Sequence, residues 1–431
     1  MPLEFKPKTP PANTSKPKPF ANVDYKSVNV GLPMAPIGLP QGIPSIFKTS
    51  VHKQPVAPPP IAMPGADLPR AVNYVADYSG CGWWRLGAPE LLMNYNQKMI
   101  ISSLTTMIAD PKFYTSGICA VKLQRQATPI QKEFVKYLKH IGKHIEAKVC
   151  YEVDDIVMHE DIPMYNRCRG AFTDPEVRQS ITDMIDMCDE MVVVSDFMRD
   201  YYKSKTNNKK ITTIPNYAPR CWFDRFYDKD EIERNYEKNK KRPRILVTGS
   251  GTHYDVGNAT NQVDDYSHVL QNIIKSRKDF QWVFVGGHPL LLKPFIDGGD
   301  IEFRNWSPLM YFPNGMHDVG AQATVAALQD NNFNRAKSDI KLNEAGHLGI
   351  PFVGQDLNPY ENSWHKFTTG DEMVDQIKSI VTDTSTYMAD AIRHREYADD
   401  FWLDDEKNIM KHVEFYTTPY GSPDRKYLIE K

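Results

Sequence analysis

The chain has 431 residues, enough for two or three domains with buried cores. Its hydrophobic content of 41%, charged content of 25% and net charge of -2 exclude a protein drawn to nucleic acid or anionic membrane by overall charge. No apolar run approaches the roughly 18 residues that span a bilayer. The N-terminus also lacks an apolar signal core, so we expect a cytoplasmic protein without a membrane span.

The cysteines indicate a reducing compartment. They are widely spaced and include no Cys-x-x-Cys pair, so we expect reduced core thiols rather than a disulfide framework or a zinc site. The six residues are Cys81, Cys119, Cys150, Cys168, Cys188 and Cys221.

Residues 1–69 are a proline-rich arm. They contain half of the 32 prolines and few paired hydrophobic segments, so they do not form a packed domain alone. Two interpretations stay open. The arm is either disordered, or extended along the folded body or along another subunit of an oligomer.

Residues 70–219 alternate short apolar strands with helices. The strand at 71–77 precedes a turn with Gly80 and Gly82 and then a helix, an arrangement that presents backbone N–H groups to a ligand. The same glycines also suit a plain tight turn. Further strands are predicted at 117–122, 147–153, 190–195 and 211–215, with helices at 131–144 and 174–188. This alternation indicates a parallel sheet with helices on both faces.

A second α/β set follows a charged linker at 220–243. Two such domains, each with a glycine turn after its first strand, face each other across a cleft at the carboxyl ends of their strands. The second domain spans 244–395, and residues 396–431 are predicted as helices that pack back on the first domain. Its strands are predicted within 244–253 and at 281–287, 301–304, 323–328 and 351–354.

The stretch 333–353 is the most informative part of the chain. It is predicted as a helix followed by a strand, with Lys337, Lys341 and Glu344 at i, i+4 and i+7 on one face. The helix start and the lysines suit a diphosphate, and the glutamate suits ribose hydroxyls. Together they indicate a nucleotide. The alternative is a solvated face of Lys–Glu pairs.

The order of motifs resembles the GT-B glycosyltransferases, particularly the large retaining group whose fourth numbered family is typical. The resemblance covers residues 70–415 and implies two Rossmann-like domains that transfer a sugar from a nucleotide-sugar, such as a UDP-sugar, to an acceptor hydroxyl. The motifs are Ser79-Gly-Cys-Gly82, Tyr151-Glu-Val-Asp-Asp155, Val192-Val-Val-Ser-Asp-Phe-Met198, Ile214-Pro-Asn-Tyr217, Ile245-Leu-Val-Thr-Gly-Ser-Gly-Thr-His253, Val283-Phe-Val-Gly-Gly287 and residues 337–353.

The resemblance implies donor contacts from both domains. They are Glu344 to the ribose hydroxyls, Lys341 and Ser338 to the diphosphate, Gly249, Ser250 and Gly251 to the nucleotide, and Gly82 to the phosphates across the cleft. The chain also departs from the family. Ala336 stands near the place of a frequent second glutamate, and His253 or Arg335 replaces the arginine of the usual arginine–lysine pair.

Asp154 and Asp155 follow a predicted strand. Because adjacent side chains diverge on a strand, and lysines already serve the diphosphate, we predict no metal site here. The aspartates instead cap a helix, orient an acceptor hydroxyl or act as a base. His159 is a further catalytic candidate, and Asn216 is a candidate acceptor contact.

The resemblance to the retaining group implies a transfer in which a phosphate oxygen takes the acceptor proton; in an inverting reaction Asp154 or Asp155 would be the base. The arm and cleft motifs also resemble bacteriophage-encoded glycosyltransferases, some of which modify hydroxymethylated bases in DNA in the host cytoplasm. Basic runs at 203–210 and 238–244 suit double-stranded DNA. Trp83, Trp84 and Arg85 are candidate contacts to a flipped base.

Two other functions stay open. One is transfer to a saccharide or a lipid-linked glycan. The other is a non-catalytic structural protein on a GT-B scaffold, which would explain the missing glutamate and the long arm.

Overall fold

The computed structural model describes residues 68–114, 117–145, 147–255 and 263–418. Almost all of the proline-rich arm, and residues 419–431, lie outside the described residues. The two interpretations of the arm therefore stay predictions.

The first domain is built on a parallel sheet with the strand order β2-β1-β3-β4-β5-β6. The inner strands are buried along almost their whole length because helices cover both faces. The strands are β1 (Arg70–Tyr74), β2 (Ile100–Leu104), β3 (Ile118–Gln124), β4 (Lys148–Glu152), β5 (Glu190–Val193) and β6 (Ile211–Thr213).

Two helices of this domain begin at N-caps that the sequence offers. The Asp174 side chain accepts from the Glu176 N–H, and the Ser195 side chain accepts from the Met198 N–H. The helices are α1 (Gly80–Gly82), which continues through a π-helical turn into α2 (Ala88–Tyr95), then α3 (Pro111–Tyr114), α4 (Pro129–Ile145), α5 (Pro175–Met187) and α6 (Asp196–Lys205).

The second domain repeats the plan with the strand order β12-β11-β10-β7-β8-β9, again parallel. Its strands are β7 (Arg244–Thr248), β8 (Gln281–Val285), β9 (Glu302–Arg304), β10 (Ala323–Ala326), β11 (Phe352–Gln355) and β12 (His365–Phe367).

The remaining helices cover this second sheet and lead back to the first. They are α7 (Arg220–Phe223), α8 (Lys229–Asn239), α9 (Leu270–Ser276), α10 (Lys293–Asp297), α11 (Phe312–His317), α12 (Asn332–Arg335), α13 (Ile340–His347), α14 (Gly370–Ile380), α15 (Thr384–Ala398) and α16 (Glu406–Thr417).

The segment 220–243, predicted as a charged linker between the domains, contains helices α7 and α8. Ile232 and Tyr236, four residues apart on one face of α8, are buried in the core of the second domain. Spacing of this kind anchors a charged helix through a narrow apolar stripe.

The chain crosses between the domains twice, and the two crossings lie side by side. The Ala218 N–H donates to the Phe401 carbonyl at 3.0 Å, and the Leu403 N–H donates to the Ala218 carbonyl at 2.8 Å. After the second crossing α16 covers one face of the first sheet, where Phe415 is buried and the Tyr416 hydroxyl donates to Asn73 at 2.9 Å.

The predicted fold class is confirmed: two Rossmann-like α/β domains face each other through the carboxyl ends of their strands. Strands β2 and β12 were missed because polar residues interrupt their apolar pattern, whereas the other two edge strands, β6 and β9, were predicted. Among the described residues, no helix combines the length and the apolar character needed to cross a membrane.

Candidate functional site

The stretch predicted as one helix is broken in two. Helix α12 ends at Arg335 and α13 starts at Ile340, so Lys337 and Ser338 lie in the loop between them. This corrects the prediction that Lys337 shares a helix face with Lys341. The loop is held by the first domain, because Ala336 is buried in that domain's core and its carbonyl accepts from the Ser195 hydroxyl at 2.8 Å.

Lys341 and Glu344 lie inside the protein rather than on a solvated face. Glu344 is 5% exposed, and burial raises the pKa of its carboxyl to about 8 against the opposing effect of the Lys341 charge. Burial, followed by the charge of Lys337, lowers the pKa of Lys341 to about 8. The Lys341 ammonium is buried without a hydrogen-bond partner among the described residues. Burying an unpartnered cation is costly, and a bound anion would offset that cost.

His253 does not supply the second cation that the sequence suggested. Its Nδ1 atom lies 2.8 Å from a carboxylate oxygen of Asp265, and the ring is buried. Burial, and then the charge of Lys341, lower the pKa of His253 to about 4. The imidazole is therefore neutral near pH 7 in the free protein, and its place among the donor contacts stays a prediction.

Arg335 does not join Lys341 either. Its guanidinium binds both carboxylate oxygens of Asp330, at 2.6 and 2.7 Å, and donates to the Asn358 side chain at 2.8 Å. Because these partners hold the side chain at the partly exposed edge of the cleft, it is not a free phosphate ligand.

Asp265 is a central residue that the sequence analysis missed. Besides His253, its carboxylate accepts from the Tyr165 hydroxyl at 2.5 Å and the Asn334 amide at 2.6 Å. Tyr165 belongs to the first domain, so this buried carboxylate joins the two domains. No pattern in the sequence marks it.

The glycine turn of the second domain lines a cavity of about 310 Å³. Gly249 follows β7, and a side chain there would meet the Tyr254 hydroxyl at 2.8 Å. Ser250 binds its neighbour Thr252 at 2.6 Å. The cavity itself is lined by Gly251, Gly286, Gly287, His288, Leu290, Phe303 and Trp306, with Arg167 from the first domain.

Trp306 rests directly on Gly286. A side chain at Gly286 would come within 2.3 Å of the indole, and the backbone has a φ of +93°, which favours glycine. The indole is 43% exposed and leaves a ring surface at the cavity wall. Such a surface suits a planar heterocycle.

The glycine turn of the first domain is packed tightly. A side chain at Gly82 would lie 1.8 Å from the Asp77 carbonyl oxygen, and the Gly82 N–H donates to the Asp77 side chain at 3.3 Å. Asp77 also forms an ion pair with Arg125. The Gly82 N–H is thus already engaged, and close packing explains the glycine.

The two adjacent aspartates face different cations. Asp154 lies 3.4 Å from Arg125, whereas Asp155 lies 3.3 Å from Lys337 across the cleft. Among the described residues, no group of three or more His, Cys, Asp or Glu side chains is arranged to hold a metal ion. All six cysteines are free thiols.

Two of the three predicted contacts to a flipped base, Trp84 and Arg85, are buried, whereas Trp83 is half-buried. Trp84 and Arg85 are 7% and 2% exposed, and the half-buried Trp83 meets Trp222 edge-on. Trp84 and Arg85 fill the junction of the domains and are not accessible to a base. The predicted acceptor role is therefore wrong for Trp84 and Arg85.

Arg85 and Asn216 instead belong to a series of buried hydrogen bonds that links the two domains. Arg85 donates to Glu152 at 2.6 Å and to the Asn216 oxygen at 3.0 Å, and the Asn216 amide donates to the Ser338 hydroxyl at 3.0 Å. Asn216, predicted to contact the acceptor, therefore holds the loop before α13.

His159 lies apart from this cluster. It begins a short 3-10 turn, and its Nδ1 atom is 3.3 Å from Arg178. Burial, followed by the charges of Arg169 and Arg178, lowers its pKa. None of its described contacts reaches Asp155 or Lys341.

The comparisons with known proteins bear on the fold alone. No protein-family model matches the chain, and no curated protein matches its sequence significantly. A crystal structure of Anabaena HepE in complex with UDP and glucose matches at 9% identity and a TM-score of 0.52, covering 81% of this chain and 100% of that chain. A second HepE structure, in complex with UDP-glucose, matches at 8% identity and a TM-score of 0.53, covering 80% and 98%. This chain has the two-domain GT-B fold.

Proposed function

We propose that the protein is a glycosyltransferase that moves a sugar from a nucleotide-sugar to an acceptor hydroxyl. The observation that carries the proposal is the buried, unpartnered Lys341 ammonium beside the buried Glu344 carboxyl, at the carboxyl edge of the second sheet. HepE, which shares the fold, was solved with UDP and with UDP-glucose. A UDP-sugar is therefore the first donor to test.

The donor diphosphate is assigned to Lys341, Lys337 and the start of α13. An anion there would give the Lys341 ammonium the partner it lacks and would raise its pKa. When the bond to the sugar breaks, the departing diphosphate gains negative charge. Fixed cations at the leaving oxygens stabilise that charge without reorganisation.

The nucleoside is assigned to Glu344 and the cavity under Trp306. Glu344 accepts hydrogen bonds from the ribose hydroxyls, and such bonds favour its ionised form. The indole provides a stacking surface for the base, while Gly286 and Gly287 let the backbone approach it. Both features lie at carboxyl ends of parallel strands, where ligands of open α/β sheets bind.

We further propose that transfer is retaining and independent of a metal. The two lysines supply the positive charge that a departing diphosphate requires, and its oxygen accepts the proton of the attacking hydroxyl. Asp154 is paired with Arg125 and Asp155 with Lys337, so each carboxylate already has a cationic partner. The competing candidate is Asp155 as base of an inverting reaction, because burial raises its pKa. The anomeric configuration of the product, read by NMR, distinguishes the two.

A hydroxymethylated base in double-stranded DNA is kept as one acceptor candidate. Its support is limited to the two basic runs, and several of their cations are engaged. Lys205 pairs with Asp161 at 3.2 Å, and Arg244 pairs with Glu302 at 2.7 Å. A DNA acceptor requires duplex binding that weakens steeply between about 50 and 200 mM salt. If the protein does not bind duplex DNA at low salt, the DNA acceptor is ruled out.

The decisive experiment is calorimetry of the full chain with a panel of nucleotide-sugars and nucleoside diphosphates. We expect one UDP-sugar to bind and to be hydrolysed slowly when no acceptor is present, because water can then attack in place of the acceptor hydroxyl. Binding without any turnover would favour a non-catalytic protein on this scaffold. Failure of every nucleotide to bind would refute the donor site.

A further inference from the structure

We propose that a second cavity in the cleft binds a neutral saccharide, which is the acceptor of the reaction; this rests on the proposed function. The cavity has a volume of about 540 Å³, within the range of about 300–1,000 Å³ usual for small-ligand sites. Both domains line it, through Ser195, Thr213 and Pro215 on one side and Asn358, Pro359 and Asn362 on the other.

The cavity ends at the proposed reaction centre. Lys337, Ser338 and Asp339, the loop that leads into α13, form part of its wall. Lys337 also reaches Asp155 at 3.3 Å, and its charge acts on the pKa of Lys341. A ligand held here would thus present a hydroxyl beside the proposed diphosphate.

The charges of the wall favour a neutral ligand. The wall carries four basic and four acidic side chains, so its formal charge is zero. The basic groups are also engaged: Arg199 binds Asp196 at 2.7 Å, Lys411 donates to the Tyr217 hydroxyl at 2.6 Å, and Arg335 and Lys337 have the carboxylate partners described above. Three of these four cations have carboxylate partners, whereas acidic and amide oxygens can accept from sugar hydroxyls.

The wall also offers what a sugar ring needs besides polar groups. Phe197 and Phe401 provide flat apolar surfaces for the C–H faces of a pyranose. The Thr213 hydroxyl is buried and has no hydrogen-bond partner among the described residues. A group of this kind gains a bond when a ligand hydroxyl arrives.

The test uses the full chain and four neutral disaccharides, namely maltose, cellobiose, lactose and chitobiose, titrated by ligand-observed NMR with saturating UDP. We expect at least one to bind, and Thr213→Val to weaken it about three- to tenfold. Thr324→Val is the matched control, because that hydroxyl is also buried and unpartnered but lies in β10, outside the cavity. Neither substitution removes a hydrogen bond, so both variants should fold.

A second pair of variants tests the acidic side chains of the cavity wall. Glu361→Gln should weaken the same disaccharide and raise its KM in transfer, while the UDP affinity stays unchanged. Glu233→Gln on the exposed face of α8 is the control.

The outcomes separate the two proposals. UDP binding with no disaccharide binding, or equal losses in Thr213→Val and Thr324→Val, would overturn the acceptor site and leave the donor site standing. Stronger binding of inorganic phosphate than of any disaccharide in this cavity would also overturn it. Absence of UDP binding would instead refute the donor site.

Discussion

The Lys337 ammonium lies 3.3 Å from the Asp155 carboxylate, and this contact joins the loop before α13 to the end of β4. The side chains are 17% and 32% exposed, so the pair is largely shielded from solvent. Beside it, the Asn216 amide donates to the Ser338 hydroxyl at 3.0 Å. The position of the proposed diphosphate site therefore depends on the first domain as well as the second.

The first prediction concerns this ion pair. We expect a double-mutant cycle with Lys337→Met and Asp155→Asn to give a coupling energy of about 0.5–2 kcal/mol in urea unfolding, because shielded pairs are less weakened by water. The exposed pair Lys240–Glu237 is the control and should show no measurable coupling. Equal coupling energies in both cycles would show that the ion pair across the cleft stabilises the protein no more than an exposed pair does.

The second prediction concerns pH and Lys341. Because the pKa of its ammonium is about 8 in the free protein, the charge is present below pH 8 and is lost above it. UDP affinity should fall about tenfold per pH unit above pH 8, as expected when a single proton must be bound. Calorimetry between pH 6.5 and 9.5 measures this. Lys341→Met should bind UDP weakly at every pH. If its UDP affinity still fell above pH 8, a group other than Lys341 would be responsible for the pH dependence.

The third prediction concerns Glu344. Its folded pKa of about 8 exceeds the ordinary value of 4.5, so its protonated form favours folding and this advantage is lost as pH rises from 4.5 to 8. Glu344→Gln should therefore be more stable than the parent at pH 8, by about 4 kcal/mol, with little difference near pH 4.5. The same variant should bind UDP at least tenfold more weakly. Unchanged UDP affinity would show that the ribose does not bind at Glu344.

The fourth prediction concerns the nucleobase. Trp306→Ala should lower UDP affinity about tenfold, because the stacking surface is removed. Trp364→Ala is a matched control, since that indole is also 43% exposed but packs on His394, outside the cavity. Calorimetry with uridine alone should show the same difference. Equal effects of the two substitutions would argue against a base at Trp306.

The fifth prediction concerns the first glycine turn. Gly82→Ala should destabilise the protein by about 1–3 kcal/mol, because the new side chain meets the backbone of Asp77. At Gly80 an added side chain meets nothing within 4 Å, so Gly80→Ala should leave stability nearly unchanged. Thermal unfolding of both variants provides the measurement, and similar melting temperatures would show that the turn relaxes freely.

Much of the fold was readable from the sequence because parallel strands buried on both faces are continuous apolar runs. Strands β4 and β5 were found in this way, whereas the edge strands β2 and β12 were not. The helix predicted at 174–188 was also found, and the Asp174 side chain caps it by accepting from the Glu176 N–H. The break between α12 and α13 was not readable, because it depends on the burial of Ala336 in another domain.

Local pattern and composition thus determined the α/β class, the two glycine turns and the placement of Lys341 and Glu344 one turn apart on a helix. Only the tertiary structure decided which polar groups are free. It neutralised His253, engaged Arg335 with Asp330, buried Trp84 and Arg85, and left the Lys341 ammonium without a partner. The reason is physical: a residue's type fixes what it can bind, whereas burial and long-range neighbours fix its charge and its partners, and those come from segments far apart in the chain.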